Sequence, residues 1–287
     1  MNDFVAILFS TSMPFIRYAF LAGLLASAAF GIVGSLVVVK RISYIAGAIS
    51  HAALGGIGGA LYVQYRFGWA WVTPIGGAIV SALLAGGIIS FVNLRFKQRE
   101  DTIIGIIWAV GMATGLLFLA KTPGYVDPMS YLFGNILIIG KADLVLIALL
   151  DLVVLVVTVL FYNHFVAVSF DEPFAKVRGL KTGFYQGLLI ILTAITVVLM
   201  TTLVGIVMVI ALLTIPAAVA GLMTRQLKFM MPVAALACMA FTSGGLALSY
   251  AWDVPSGAVI ILLASASYLT LLAGKQLIGR LRQGRRT

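Results

Sequence analysis

Apolar residues run along this chain in long unbroken stretches separated by short polar joints. Windowed hydropathy places nine such stretches, at about 14–39, 43–64, 69–93, 102–120, 141–162, 183–203, 204–223, 229–251 and 256–274. Each is long enough to cross a hydrocarbon core of about 30 Å as a helix. Helices are expected because they satisfy their own backbone in lipid, and no ten-residue alternation points to a barrel. Residues 131–140 (YLFGNILIIG) are apolar but too short to span, so they read as a re-entrant or interfacial helix. The first dozen residues are expected to lie along the membrane surface, with Pro14 opening the first span. The thinnest joint is 201–205 (TTLVG), where two spans meet with almost no loop.

Composition sharpens this picture. Of the 287 residues, 62% are hydrophobic and 10% charged, and mean hydropathy is +1.13. A soluble fold cannot hide that much apolar surface. A soluble enzyme, a nucleic-acid binder and a disordered chain are thereby excluded. The expectation is an all-α polytopic bundle, one transmembrane domain over residues 1–287.

The net charge of +10 matters through its placement. With the N-terminus outside, the inner loops hold Lys40 and Arg41; Arg95, Lys97 and Arg99; Lys176, Arg178 and Lys181; Arg225 and Lys228; and the basic tail 275–287. The outer side keeps Arg17, Arg66, Lys121 and Lys141. This asymmetry favours N-out, C-in, which an odd span count satisfies. The segment MNDFVAILFS lacks a basic n-region, so no cleaved signal peptide is expected. The single cysteine, Cys238, permits no intrachain disulfide and no cysteine-based zinc site.

The inner loop 164–183 (HFVAVSFDEPFAKVRGLKTG) mixes acidic, basic, Pro and Gly residues. Within it Asp171 can cap a short helix, Pro173 suits its first turn, and Gly179 can end it. Such a helix is either a docking surface or an ordinary solvated loop. Gly31 and Gly34, Gly55 and Gly59, Gly86 and Gly87, and Gly111 and Gly115 mark faces where backbones can approach. Packing within the chain is the expected use of Gly55–Gly59, rather than dimerisation.

Polar groups inside the membrane each need a reason. His51, in the second span, is either a metal ligand or a neutral imidazole donating to a backbone carbonyl. Asp151, in the fifth, is a ligand, a proton site or a helix–helix hydrogen bond, the last being favoured. Pro216 interrupts the seventh span, as a path-lining break or as a tolerated kink. Asp127, Asp143 and Asp253 suit turns or helix caps. GNILIIGKA (134–142) fails as a phosphate loop: five residues separate its glycines, and Ala142 stands where Ser or Thr would hold magnesium.

Taken together, four segments resemble the membrane permeases of bacterial and archaeal ABC importers for zinc, manganese and iron. They are VVVKRISYIAGAISHAALGGIG (37–58), YLFGNILII (131–139), FDEPFAKVRGL (170–180) and VGIVMVIALLTIPAAVAG (204–221), with WDVPSGAVIIL (252–262) closing the series. The resemblance implies a non-catalytic subunit that binds no cofactor and carries a metal ion as substrate. It implies a second copy of the chain, two ATPase subunits that hold the ATP on the inner face, and an outer metal-binding protein. The fold would be similar to the vitamin B12 type of importer, in the cytoplasmic membrane of a prokaryote. Phe170, Asp171, Glu172, Ala175 and Gly179 would belong to the coupling helix, and Pro216 to a gating helix. His51 would line the path. The family places an acidic residue four positions before it, one turn away on the same face. Here that position is Gly47. Asp151 is a candidate replacement from another helix. The alternatives are a permease for a metal chelate, such as a siderophore or corrinoid, or a secondary transporter with Asp151 as its proton site. An intramembrane enzyme is more distant, because no catalytic pair is spaced for one.

Overall fold

The computed structural model describes residues 14–96, 100–123 and 139–283. Among these, nine helices are long and apolar enough to cross a membrane. They are α1 (Pro14–Lys40), α2 (Ser43–Phe67), α3 (Pro74–Phe96), α4 (Glu100–Lys121), α5 (Lys141–Phe170), α7 (Thr182–Val204), α8 (Ile206–Met223), α9 (Leu227–Trp252) and α10 (Ser256–Gln283). Between α5 and α7 lies one short helix, α6 (Glu172–Val177). Every sequence-predicted span is present. The predicted short helix at 131–140 and the surface segment before Pro14 lie outside the described residues, apart from Ile139 and Gly140.

The punctuation follows local chemistry. Pro14 opens α1, where its missing N–H costs nothing. That helix closes in a Schellman turn: Ile42 donates to the Val37 carbonyl at 3.0 Å and Arg41 to Val38 at 3.1 Å. The left-handed position of this turn is occupied by Arg41, with φ +62°, instead of glycine. Gly68 closes α2 in the same left-handed region. Beyond that end of α2, exposed Trp69 and Trp71 stack 5.7 Å apart, as interfacial aromatics do. Asp143 accepts from the Gly140 N–H at 2.9 Å and so caps α5. Asp253 ends α9 with φ +51°. Asp127 is outside the described residues.

The thin joint at 201–205 is a true break. Gly205 has φ +85° and ψ 158°, and it serves at once as the C-cap of α7 and the N-cap of α8. Backbone of that shape is essentially confined to glycine.

Three boundary readings are corrected. The predicted inner loop 164–183 is largely helical, because α5 bends at Phe161 (φ −110°, ψ 16°) and continues to Phe170. The basic tail is helical as far as Gln283, where the pattern ends a span near 274. Pro216 does not break its helix: α8 runs through it, and the discontinuity lies at Gly205. Pro216 is buried inside the continuous α8, in keeping with the tolerated-kink alternative, where it removes one backbone hydrogen bond.

α1 and α2 form the interior. α1 packs against α5, α8 and α9, while α2 packs against α3, α4 and α7. α10 lies on α8 and α9. The seams use small residues as expected for helices in lipid. A methyl group on Gly31 would strike the Ala235 backbone of α9, and one on Gly58 the Gly115 carbonyl of α4 at 2.6 Å. Gly55 likewise lies against Gly111 and Thr114 of α4, so its contact is within the chain. Gly87 departs from the pattern, having nothing within 4 Å.

Candidate functional site

α2 carries His51 into the interior with 7% of its surface exposed. Its Nδ1 lies 2.9 Å from the Gly47 carbonyl one turn earlier. A carbonyl only accepts, so Nδ1 must be the donor, and a neutral ring then has its lone pair on Nε2. No hydrogen bond to Nε2 forms among the described residues. The backbone bond that a structural histidine makes is therefore also the one that would orient a ligand histidine.

The wall facing His51 comes from α4. Trp108 stacks on the imidazole, with ring centroids 4.5 Å apart and planes tilted by 32°. The same indole covers Gly47: a Cβ there would lie 2.6 Å from Trp108 Cζ3. The space a side chain at position 47 would need is occupied by an aromatic ring. α2 and α4 come this close because Gly111 lies against the backbone of His51 and Ala52. Trp108 was not singled out in the sequence, where GIIWAV looks like any other apolar run.

Asp151 stands elsewhere. Its Oδ1 accepts from the backbone N–H of Ala29 on α1 at 3.0 Å, joining α5 to α1. α5 packs on α1 and α7, not closely on α2, so Asp151 and His51 are not brought together within the chain. Among the described residues, no three His, Cys, Asp or Glu side chains gather to hold a metal ion. Pro216 sits on α8, with the Thr214 hydroxyl donating to the Ile210 carbonyl at 2.8 Å beside it.

The segment around α6 is built as its residues predict. The Asp171 side chain caps α6 by accepting from the Phe174 N–H at 3.0 Å. Gly179, with φ +81°, closes it in a Schellman turn, donating to Lys176 while Leu180 donates to Ala175. Ala175 is buried and seats the helix, whereas Phe170, Phe174 and Val177 are exposed. Arg178 lies 5.1 Å above the Phe174 ring. Lys40, at the end of α1, reaches across to Glu172 at 2.5 Å and donates to the Val168 carbonyl at 2.9 Å. A second lysine, Lys275 of α10, donates to the Leu222 carbonyl at the end of α8 at 2.7 Å. Helix ends that the charge pattern assigns to one side thus meet on one side.

Known proteins resemble this chain over most of its length. An uncharacterised membrane protein of Synechocystis is 42% identical over 260 residues, covering 90% of either chain. The manganese transport system membrane protein MntC of Listeria monocytogenes is 32% identical, covering 91% of this chain and 92% of its own. The solved structure of PsaBC from Streptococcus pneumoniae in complex with a Fab superposes with a TM-score of 0.82 at 28% identity, over 94% of each chain. The model of the ABC 3 transport family matches residues 12–275, and the chain therefore belongs to that family.

Proposed function

We propose that this chain is the permease subunit of an ATP-driven ABC importer for a divalent metal ion of the manganese or zinc class. The observation that carries the metal reading is His51: a buried imidazole whose Nδ1 is committed to Gly47 and whose Nε2 has no hydrogen-bond partner among the described residues, on the most buried of the described spans. The manganese transport relative supports the ion class. The ion passes as substrate, and the subunit itself performs no chemistry.

In this reading two copies pair around the path, in a bundle of the vitamin B12 importer type. Each copy is one permease domain spanning residues 1–287. The N-terminus lies outside and the C-terminus inside the cytoplasmic membrane, as the basic residues favour. An outer binding protein delivers the ion. An ATPase subunit receives α6 in a groove, with Phe170, Phe174 and Val177 as apolar contacts. Asp171 and Gly179 define the ends of the helix and Ala175 anchors it. Glu172 ties it to Lys40, so movement of the ATPase reaches α1 and the turn into α2. Pro216 and Gly205 give α8 its points of adjustment.

Reconstitution with the cognate ATPase and binding protein tests this. ATP hydrolysis is expected to rise with one bare divalent cation, among manganese, zinc and iron(II). Stimulation by a metal chelate alone would replace the ion reading with the chelate one. Uptake driven by a pH gradient without the ATPase would overturn both.

A further inference from the structure

The lipid-facing side of the bundle carries a groove of about 410 Å³ between α5 and α9, floored by α1. Ile32 forms part of its floor, and Val159 and Ala235 part of its walls. Lys228 stands at one end. We infer that this groove binds an anionic phospholipid, with an acyl chain between α5 and α9 and its phosphate at Lys228.

Three features favour that occupant. First, the groove is almost wholly apolar and its rim is open: Val159 is 67% exposed and Leu236, on the same helix as Ala235, 64%. Lys228 and Ala235 are seven positions apart, about 10 Å of helix, so the cleft runs from the end of α9 along its length, as an acyl chain beside it would.

Second, the charge at its mouth has no carboxylate partner among the described residues, the Lys228 ammonium lying 4.9 Å from the centre of the Phe229 ring. α9 begins at Leu227 with no acidic residue in its first turn, and its N-cap, Gln226, makes no side-chain cap bond. Arg225 and Lys228 therefore add positive charge where the helix dipole is already positive. A phosphate placed there meets the lysine and the free N–H groups of the first turn together. No carboxylate lines the groove.

Third, one hydroxyl of the lining has nothing to bond among the described residues. The hydroxyl of Thr158, a residue 4% exposed, has no partner. Tyr162 lies beyond it toward the end of α5 that Lys40 reaches. Tyr162, partly exposed, suits the ester region of a glycerolipid, and the buried Thr158 hydroxyl marks a polar point in the wall beneath it. The leaflet concerned, the inner one, follows from the orientation proposed above. The groove and its ligand do not depend on the transported ion.

Native mass spectrometry of the delipidated permease–ATPase complex, supplied with phosphatidylglycerol or phosphatidylcholine of the same chains, tests the assignment. Phosphatidylglycerol is expected to be retained preferentially, and Lys228→Gln to lower its retention about fivefold while leaving phosphatidylcholine unchanged. Lys228 is exposed, so this variant does not challenge folding. Val159→Trp, which fills the groove from its rim, is expected to displace both lipids. Equal retention of the two lipids, or phosphatidylglycerol retention unaltered in both variants, would overturn the proposal. So would a disulfide-linked dimer formed by Val159→Cys in membranes, since a second copy would then cover the groove.

Discussion

Trp108 and Gly47 occupy one space: the indole edge of the first stands where the side chain of the second would begin, 2.6 Å from an added Cβ. The imidazole of His51 completes the stack at 4.5 Å. A carboxylate four residues before this histidine is therefore excluded by packing as well as by sequence. The site keeps one imidazole and gains an aromatic wall, which makes it more apolar and less charged than a His–carboxylate pair.

Gly47→Asp is expected to destabilise the protein by about 1–3 kcal/mol, the usual range for overpacking. Adding Trp108→Ala should recover most of that loss and leave His51 and Asp side chains one turn apart. Thermal unfolding in detergent measures the first effect. Tighter manganese binding by the double variant than by wild type measures the second.

His51→Ala is expected to lower metal uptake about tenfold or more, judged by what ligand-shell changes cost elsewhere, with the folded yield unchanged. Uptake in vesicles at wild-type rate would remove the imidazole from the path.

Asp151→Asn should be almost silent, because an amide oxygen can still accept from the Ala29 N–H that now meets the carboxylate at 3.0 Å. Asp151→Leu leaves that N–H without its side-chain acceptor and is expected to cost about 1–3 kcal/mol. A proton-coupled transporter would behave differently: Asp151→Asn alone would abolish its dependence on a pH gradient.

Lys40→Ala removes both the Glu172 ion pair and the bond to the Val168 carbonyl. Stability should fall by only about 1 kcal/mol, as for a partly exposed pair. The larger expected effect is on coupling: ATP hydrolysis by the assembled complex continues while transport per ATP drops. Reversing the pair, Lys40→Glu with Glu172→Lys, should restore part of the transport. Equal loss of hydrolysis and transport would argue that the lysine only supports assembly.

Gly205→Ala forces a side chain onto backbone with φ +85°. The strain is expected to cost about 1–3 kcal/mol, read as a lower unfolding temperature. Gly87→Ala, where nothing lies within 4 Å, provides the neutral control.

Span positions were legible in the sequence because lipid imposes long apolar runs. Cap residues were legible too, since Asp171, Gly179 and Asp143 act through neighbours three or four positions away. The stop of α5 was not, because its last turns carry the same apolar residues whether they lie in lipid or against other helices. Pro216 was ambiguous for a related reason: proline marks a lost hydrogen bond, but packing decides whether the helix breaks. At the candidate site, His51 stood out as a lone imidazole in an apolar run. Trp108 did not, because its role depends on α2 meeting α4, and nothing in either segment alone encodes that meeting. The fate of Asp151 likewise depended on which backbone N–H α1 would present to it.

The seam between α2 and α4 has a mechanical consequence. At Gly55, Gly58, Gly111 and Gly115 the two backbones come into direct contact, with only Thr114 and Leu54 side chains beside them. Rotamer changes can let packed side chains slide past one another, but bare backbones offer no such bearing. The pair must then swing as a single beam, and the His51–Trp108 stack rides on it undeformed. If the imidazole is exposed alternately as proposed, the expected joints are the turns at its ends, at Arg41 and around Gly68, rather than any parting of the two helices.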